Sequence, residues 1–278
     1  MKNRYFISAC LVLLPINLAI FSTCIEPLSD ALESVSAQQK ATTNGYSIAD
    51  TTFDRVIGLG HRCTTYRQIK RYFSPDRHGK KGQEDLFNNL AIYDYDLFAA
   101  ALRCNLDDFF ERGDFDLVIR NELYTLFNRK YNMYWSHLFD GLAGAELNLK
   151  KNQMSFTDET VDLFYPIIKE QKNFLRERFI AAKDHTTLYV IATAPPCEDP
   201  SLETLLRVRD ALIQIREGNK EFFLLFVPIN KTYDGDVENI IVREGKYLVP
   251  YEWNGADPAR WKEILDEFKF ILDIWDSY

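Results

Sequence analysis

Cys63 is the residue of this sequence best placed to do chemistry. It follows a short apolar run at residues 53–59 and a glycine at position 60, and it precedes a segment with helical periodicity at 64–73. Backbone N–H groups and the dipole at the start of a helix stabilise an anion, so a cysteine there has a lowered thiol pKa and becomes a nucleophile. Arg62 and His61 add to that effect. A purely structural cysteine is the alternative that stays open at this point.

Other chemistries have less support in the sequence. The histidines and cysteines show no C-x-x-C or H-x-x-x-H spacing, so we expect no metal site. Gly58 and Gly60 follow a strand as in a dinucleotide-binding loop, but Thr64 stands near the place of the third glycine. With 33 basic and 41 acidic residues, the net charge of −8 does not suit a nucleic-acid partner. We therefore predict no cofactor and no nucleic acid.

The elements that must position Cys63 alternate between strands and helices. Continuous apolar runs at 188–193 and 222–229 predict buried strands, and the intervening segment 200–217 predicts a helix, so the three form a βαβ unit. Further helices are predicted at 64–73, 95–104, 106–112, 157–183 and from 258 to about 275, and further strands at 53–59, 117–119, 131–139, 240–243 and 247–249. The predicted fold class is α/β, a layered and largely parallel sheet flanked by helices.

The longest predicted helix, at 157–183, is amphipathic. Leu163, Ile167, Phe174 and Phe179 lie near one face, which we expect to be buried. Pro166 lies inside the pattern and is expected to kink or divide the helix.

The N-terminal residues are typical of an export signal. Lys2 and Arg4 precede a mostly apolar run, so residues 1–25 are predicted to be a signal peptide or an uncleaved signal anchor. Residues 26–47 are predicted to be a linker, and residues 48–278 a single folded domain. The protein is thus expected to be exported: secreted, periplasmic or anchored to a membrane. Cys104 and Cys197 could form a disulfide in such a compartment, or all cysteines of the domain could be unpaired.

Five segments resemble a bacterial family of papain-like cysteine peptidases that is described as a domain of unknown function. The family's strand, Leu-Gly, Cys and helix motif is similar to residues 56–65, and its Tyr-Asn, His and Phe motif is similar to residues 131–139. A strand ending in Asn-x-Thr is similar to residues 224–232, and two C-terminal tryptophan motifs are similar to 253–255 and 261–265. The resemblance also implies an α+β papain-like fold as an alternative architecture.

The resemblance implies a thiol hydrolase or acyltransferase that acts on an amide or ester. Cys63 would attack the acyl carbon, His137 would act as the base, and Asn230 would orient the imidazole, with Asp140 as the alternative. His61 is the second choice of base. The expected substrate is a peptide, another amide or a glycan-linked group.

A different function remains open. The aromatic stretch at 131–139, together with Trp253, could bind a peptide or glycan on an exported α/β domain that has no catalytic activity. The oligomeric state is not predicted by any pattern in the sequence.

Overall fold

A computed structural model of the chain describes residues 48–60, 62–73, 87, 90–120, 123–135, 158–193, 198–217, 221–229, 233, 235–246 and 256–271. The chain divides into two units, Met1–Asn44 and Gly45–Tyr278, and all of the described residues belong to the second. The predicted signal segment at 1–25 and the linker at 26–47 lie outside the described residues. Among the residues described, no helix is both long enough and apolar enough to span a membrane.

Helices and strands alternate over most of the described chain. The strands are β1 (Thr52–Phe53), β2 (Arg55–Gly58), β3 (Leu90–Ile92), β4 (Phe115–Arg120), β5 (Leu123–Asn128), β6 (Met133–Trp135), β7 (Thr187–Ala192), β8 (Phe222–Val227), β9 (Ile240–Val242) and β10 (Lys269–Phe270). The α-helices are α1 (Arg62–Phe73), α2 (Tyr95–Arg103), α3 (Asp158–Ala181), α4 (Leu202–Arg216) and α5 (Pro258–Asp266).

A parallel sheet contains the strands with continuous apolar sequence. Its order is β2-β7-β8-β9, and every neighbouring pair in it is parallel. Strands β7 and β8 are joined through α4, which confirms the predicted βαβ unit. Ser201 caps α4 by accepting a hydrogen bond from the Thr204 N–H, and Glu217 ends the helix in the left-handed region. The α/β class predicted from the sequence is therefore correct.

A second, antiparallel sheet stands beside the parallel one. Its order is β3-β6-β5-β4, and β5 pairs with both β4 and β6. The sequence predicted a strand at 117–119, inside β4, and one at 131–139, which contains β6, but it predicted neither β3 nor β5. The predicted largely parallel sheet therefore accounts for only part of the architecture. A short parallel pair, β1 with β10, joins the two ends of the described chain.

The side chains of the parallel sheet alternate between two apolar clusters, as the period of two in a strand requires. Tyr189 and Ile191 of β7 lie in a cluster with residues of α2, α3, α4 and the antiparallel sheet. Leu188 and Val190 point to the other face, where they pack with residues of α1 and α5. Both faces of the parallel sheet are thus covered.

Helix α3 differs from its prediction in the face that it buries. It continues as one helix across Pro166, so the proline does not divide it. Ile167 and Phe174 are 49% and 58% exposed, so the prediction that they lie on the buried face was wrong. The buried apolar residues among those described are Val161, Ile168, Leu175 and Phe179, of which only Phe179 was predicted. Lys172 is also buried, and the side chain of Leu163 is not described.

Two other helix predictions were wrong, one in the existence of the helix and one in its extent. No α-helix forms at 106–112, because Asn105 and Leu106 both have positive φ angles, of 52° and 57°, which end the preceding helix. The closing helix ends at Asp266, after which the chain forms β10 beside β1. The strand predicted at 247–249 lies outside the described residues.

Candidate functional site

A tight turn joins β2 to α1 and leads to Cys63. The Leu59 N–H donates to the Val190 carbonyl at 2.8 Å, so the pairing with β7 continues one residue past the strand. Gly60 has a φ of +85°, and a Cβ there would lie 2.9 Å from Cδ1 of Ile92. The buried Thr65 hydroxyl donates to the Gly60 carbonyl. The turn is therefore held by β7, β3 and α1 together.

Cys63 is the second residue of α1. The helix begins at Arg62, two residues earlier than the periodicity predicted, so the backbone N–H of Cys63 belongs to the first turn. That turn contains no acidic residue. The side chain of Cys63 is not among those described, and His61 lies outside the described residues.

Strand β6, which ends two residues before His137, ends near this turn. Trp135, the last residue of β6, pairs with Leu90 of β3. The Leu90 carbonyl oxygen is 3.6 Å from the position that a Gly60 Cβ would occupy, so β3 separates the end of β6 from the β2–α1 turn. His137 follows Trp135 by two residues; it and Asp140 lie outside the described residues.

Strand β8, which precedes Asn230 in the sequence, has its carboxyl end at the same edge of the parallel sheet as β2, which precedes Cys63. In a parallel sheet all carboxyl ends lie along one edge, where open α/β folds bind ligands. Strand β8 ends at Val227 and lies two positions from β2, with β7 between them. Ile229 is described, and Asn230, the next residue, lies outside the described residues.

Asp199 is a residue at this edge that the sequence reasoning did not select. Asp199 is 3% exposed, and its two carboxylate oxygens accept the Ile229 N–H at 3.0 and 3.1 Å. The Thr193 hydroxyl, just beyond β7, donates to the same carboxylate. In the sequence, Asp199 is an acidic residue between the end of a buried strand and the helix cap at Ser201. Such a position is typical of an ordinary turn, so the sequence alone did not mark Asp199 as part of a site.

Tyr233 lies close to the Asp199 carboxylate. Burial, followed by the negative charge of Asp199, raises the pKa of Tyr233 to about 12. Its hydroxyl donates to the Pro200 carbonyl, and its ring contacts Phe226 edge-on. The ends of β7 and β8 and the start of α4 thus meet around one buried carboxylate.

The aromatic stretch that could bind a ligand is mostly buried where it is described. Tyr131 and Trp135 are 3% and 2% exposed and belong to the core. Tyr134 is half-buried, with its ring stacked on Phe127 at 4.5 Å and edge-on to Tyr93. Trp253 lies outside the described residues.

The described residues contain no group of three or more His, Cys, Asp or Glu side chains arranged to hold a metal ion. Cys104 caps the C-terminal end of α2, and Cys197 lies outside the described residues, so the disulfide between them stays a prediction.

Comparisons with known proteins do not add to this site. No protein-family model matches the chain, and no curated protein or solved structure matches it. The resemblance to papain-like cysteine peptidases therefore stays a prediction that depends on the quoted motifs.

Proposed function

We propose that this protein is a thiol hydrolase or acyltransferase of the papain-like cysteine peptidase type. Cys63 is the nucleophile, His137 the general base and Asn230 the residue that orients the imidazole. The observation that carries the proposal is the β2–turn–α1 arrangement, which sets Cys63 in the first turn of a helix at the carboxyl edge of a parallel sheet. Two further observations support the proposal. Strand β6, which precedes His137, ends near the β2–α1 turn, and strand β8, which precedes Asn230, ends at the same edge of the parallel sheet as β2.

The helix start favours the reactive form of the thiol. Free N–H groups and partial positive charge at an N-terminus stabilise a thiolate, and cysteines in such positions or beside a protonated histidine have pKa values of about 3.5–7.5, against about 8.5 for a free thiol. The first turn of α1 supplies no carboxylate to oppose this effect. The same N–H groups are suited to binding the oxyanion formed during acyl transfer.

The proposed reaction proceeds through an acyl-enzyme. The Cys63 thiolate attacks the acyl carbon, a C–S bond forms, and the C–N or C–O bond to the leaving group breaks as His137 protonates that group. Water then attacks the thioester while His137 accepts its proton, and the acid and the thiol are released. In an acyltransferase an amine or alcohol takes the place of water.

The proposed substrate is a peptide, or another amide or ester linkage, outside the cytoplasm. Residues 1–25 would direct export and then be cleaved or serve as a membrane tether. These assignments follow from the sequence, and the reaction does not depend on them.

Site-resolved alkylation tests the nucleophile. The full chain is treated with iodoacetamide across pH 5–10, and mass spectrometry follows the rates at Cys63 and Cys104. Cys104 is a matched control because it caps the C-terminal end of α2, where the helix dipole disfavours a thiolate. We expect the Cys63 rate to reach half its maximum at or below about pH 7.5, and the Cys104 rate to rise through about pH 8.5 or above.

Two variants assign the remaining roles. His137→Asn is expected to move the Cys63 midpoint toward about 8.5 because the imidazolium partner is lost. Asn230→Ala is expected to move it in the same direction by a smaller amount. A wild-type midpoint near 8.5 for Cys63 would contradict the proposal and would leave a binding domain for a peptide or glycan as the better explanation.

A further inference from the structure

The outer surface of α3 carries two rows of residues that face solvent. Two of the three exposed large apolar side chains among the described residues, Ile167 and Phe174, lie on it seven residues apart. Glu170 and Glu177 are also exposed and have the same spacing. Seven residues are close to two turns of a helix, so each pair forms a row along the helix axis, with its members about 10 Å apart.

Both rows lie on the side of α3 that points away from the core. At about 100° per residue, the acidic row is almost opposite to the buried residues Ile168 and Leu175, and the apolar row runs beside it. A shallow depression of about 550 Å³ on this surface is lined by Pro166, Lys169, Glu170, Asn173, Phe174 and Glu177. The outer surface of α3 therefore has room for side chains of another molecule.

The carboxylates of the acidic row are not neutralised by the described part of the chain. Glu170 and Glu177 form no ion pair with any described residue. Lys169, at the rim of the depression, pairs instead with Glu111 at 3.2 Å. The chain as a whole has a net charge of −8. A cationic partner is therefore attracted both by the two carboxylates and by the charge of the whole molecule.

The ring of Phe174 contacts a cation within the chain. The Arg178 guanidinium, one turn later in α3, lies 5.8 Å from the centre of this ring, and Phe174 is still 58% exposed. Aromatic rings attract ammonium and guanidinium groups through their quadrupole. The exposed part of the ring is thus suited to a partner that places Lys or Arg beside its apolar residues.

We propose that the outer surface of α3 binds a cationic amphipathic helix of a partner protein. The apolar residues of that helix cover Ile167 and Phe174, and its Lys or Arg side chains pair with Glu170 and Glu177. A helix fits because it can repeat apolar and charged residues with the same seven-residue spacing as α3. A second copy of this chain fits less well, since it brings the same two carboxylates to the interface. The proposal does not depend on the reaction proposed for Cys63.

A synthetic peptide tests the proposal. The probe is an amphipathic helical peptide of about 21 residues, with leucine at two positions of every seven and lysine at the flanking positions. The matched control peptide has glutamate in place of lysine. Fluorescence anisotropy with the full chain is expected to give a Kd of about 100 μM or tighter for the lysine peptide and no binding of the glutamate peptide. Added salt is expected to weaken binding of the lysine peptide, because exposed charges are screened.

Variants of the full chain assign the binding to this surface. Phe174→Ala is expected to weaken binding of the lysine peptide by about tenfold, because the largest apolar contact is lost. The double variant Glu170→Gln, Glu177→Gln is expected to weaken it by about fivefold and to reduce its salt dependence. Ile271→Ala and Glu244→Gln are the controls, since they remove an exposed apolar side chain and an exposed carboxylate outside α3. Both controls are expected to leave the Kd unchanged.

The inference is overturned if the lysine peptide does not bind at about 1 mM, or if it binds the α3 variants as well as the wild type. Equal binding of the lysine and glutamate peptides also overturns it, because charge would then have no role. Circular dichroism checks that each variant is folded, as expected for substitutions at exposed positions. Sedimentation equilibrium tests the other occupant: a dimer of the full chain that Phe174→Ala dissociates would show that a second copy covers the surface, which contradicts the proposal.

Discussion

Gly60 determines how the chain passes from β2 into α1. Its φ of +85° is unfavourable for any L side chain, and an added Cβ would meet the Ile92 side chain at 2.9 Å. Sequence inspection identified the glycine as the end of the strand, and the helix after it was confirmed. The contact with Ile92 was not predictable, because it depends on how β3 packs against the turn.

We predict that Gly60→Ala lowers the free energy of unfolding by about 2–4 kcal/mol. About 1–2 kcal/mol comes from the left-handed backbone and the rest from overpacking against Ile92. Gly235→Ala is the control, since Gly235 also has positive φ, of +100°, but its Cβ would meet no atom within 4 Å. Urea unfolding of both variants checks this. An equal loss in the two would show that the contact with Ile92 has no energetic role.

The hydrogen-bonding role of Asp199 could not be predicted from the sequence. In sequence it precedes a proline and a helix cap, and nothing distinguishes it from a turn residue. Its partners lie six and thirty residues away, at Thr193 and Ile229. Only the parallel pairing of β7 with β8 brings those partners together.

Arg216 joins the segment that follows helix α3 to strand β7. It is 1% exposed, and its guanidinium donates to the carbonyls of Ala182 and His185, at 2.9 and 2.6 Å. It also donates to the hydroxyls of Thr187 and Tyr189 on β7. A cation that binds carbonyl oxygens after a helix is favoured by the helix dipole. Arg216 therefore fixes the segment that follows α3 against the parallel sheet.

We predict that Arg216→Met lowers the free energy of unfolding by about 3–5 kcal/mol, because several buried carbonyls lose their donor. Arg207→Met on the same helix is the control. Arg207 pairs with Asp96 and Glu203 at the surface, where ion pairs contribute about 0–1 kcal/mol. Chemical denaturation of the two variants measures the difference. Similar small losses would contradict the structural role assigned to Arg216.

Helix α3 shows why the type of an element is more predictable than its orientation. Periodicity located the helix within about two residues, but Ile167 and Phe174 are exposed while Ile168 and Leu175 are buried. Apolar residues occur on more than one side of this helix, so the sequence pattern alone does not select the buried face. The packing of the helix against the core makes that selection.

The two sheets were unequally predictable. Strands β7 and β8 are buried on both faces, so their sequences are continuously apolar and the parallel βαβ unit can be recognised. Strands β3 and β5 were missed, and β3 has only three residues. Its position depends on long-range pairing with β6 rather than on a local pattern. The candidate site needs both sheets, because Cys63 and Asn230 follow parallel strands and His137 follows an antiparallel one.

At the scale of the whole molecule, we propose that the two sheets together bring the Cys63 thiol and the His137 imidazole into contact. A thiolate beside His137 stabilises the imidazolium, and the two groups titrate as a coupled pair. The most direct test is the NMR titration of the His137 ring nitrogens in the full chain and in Cys63→Ser. We predict that the His137 imidazole titrates at a higher pH in the wild type than in the variant, because only the wild type has a thiolate to stabilise the imidazolium. The same His137 titration in both proteins would contradict the pairing.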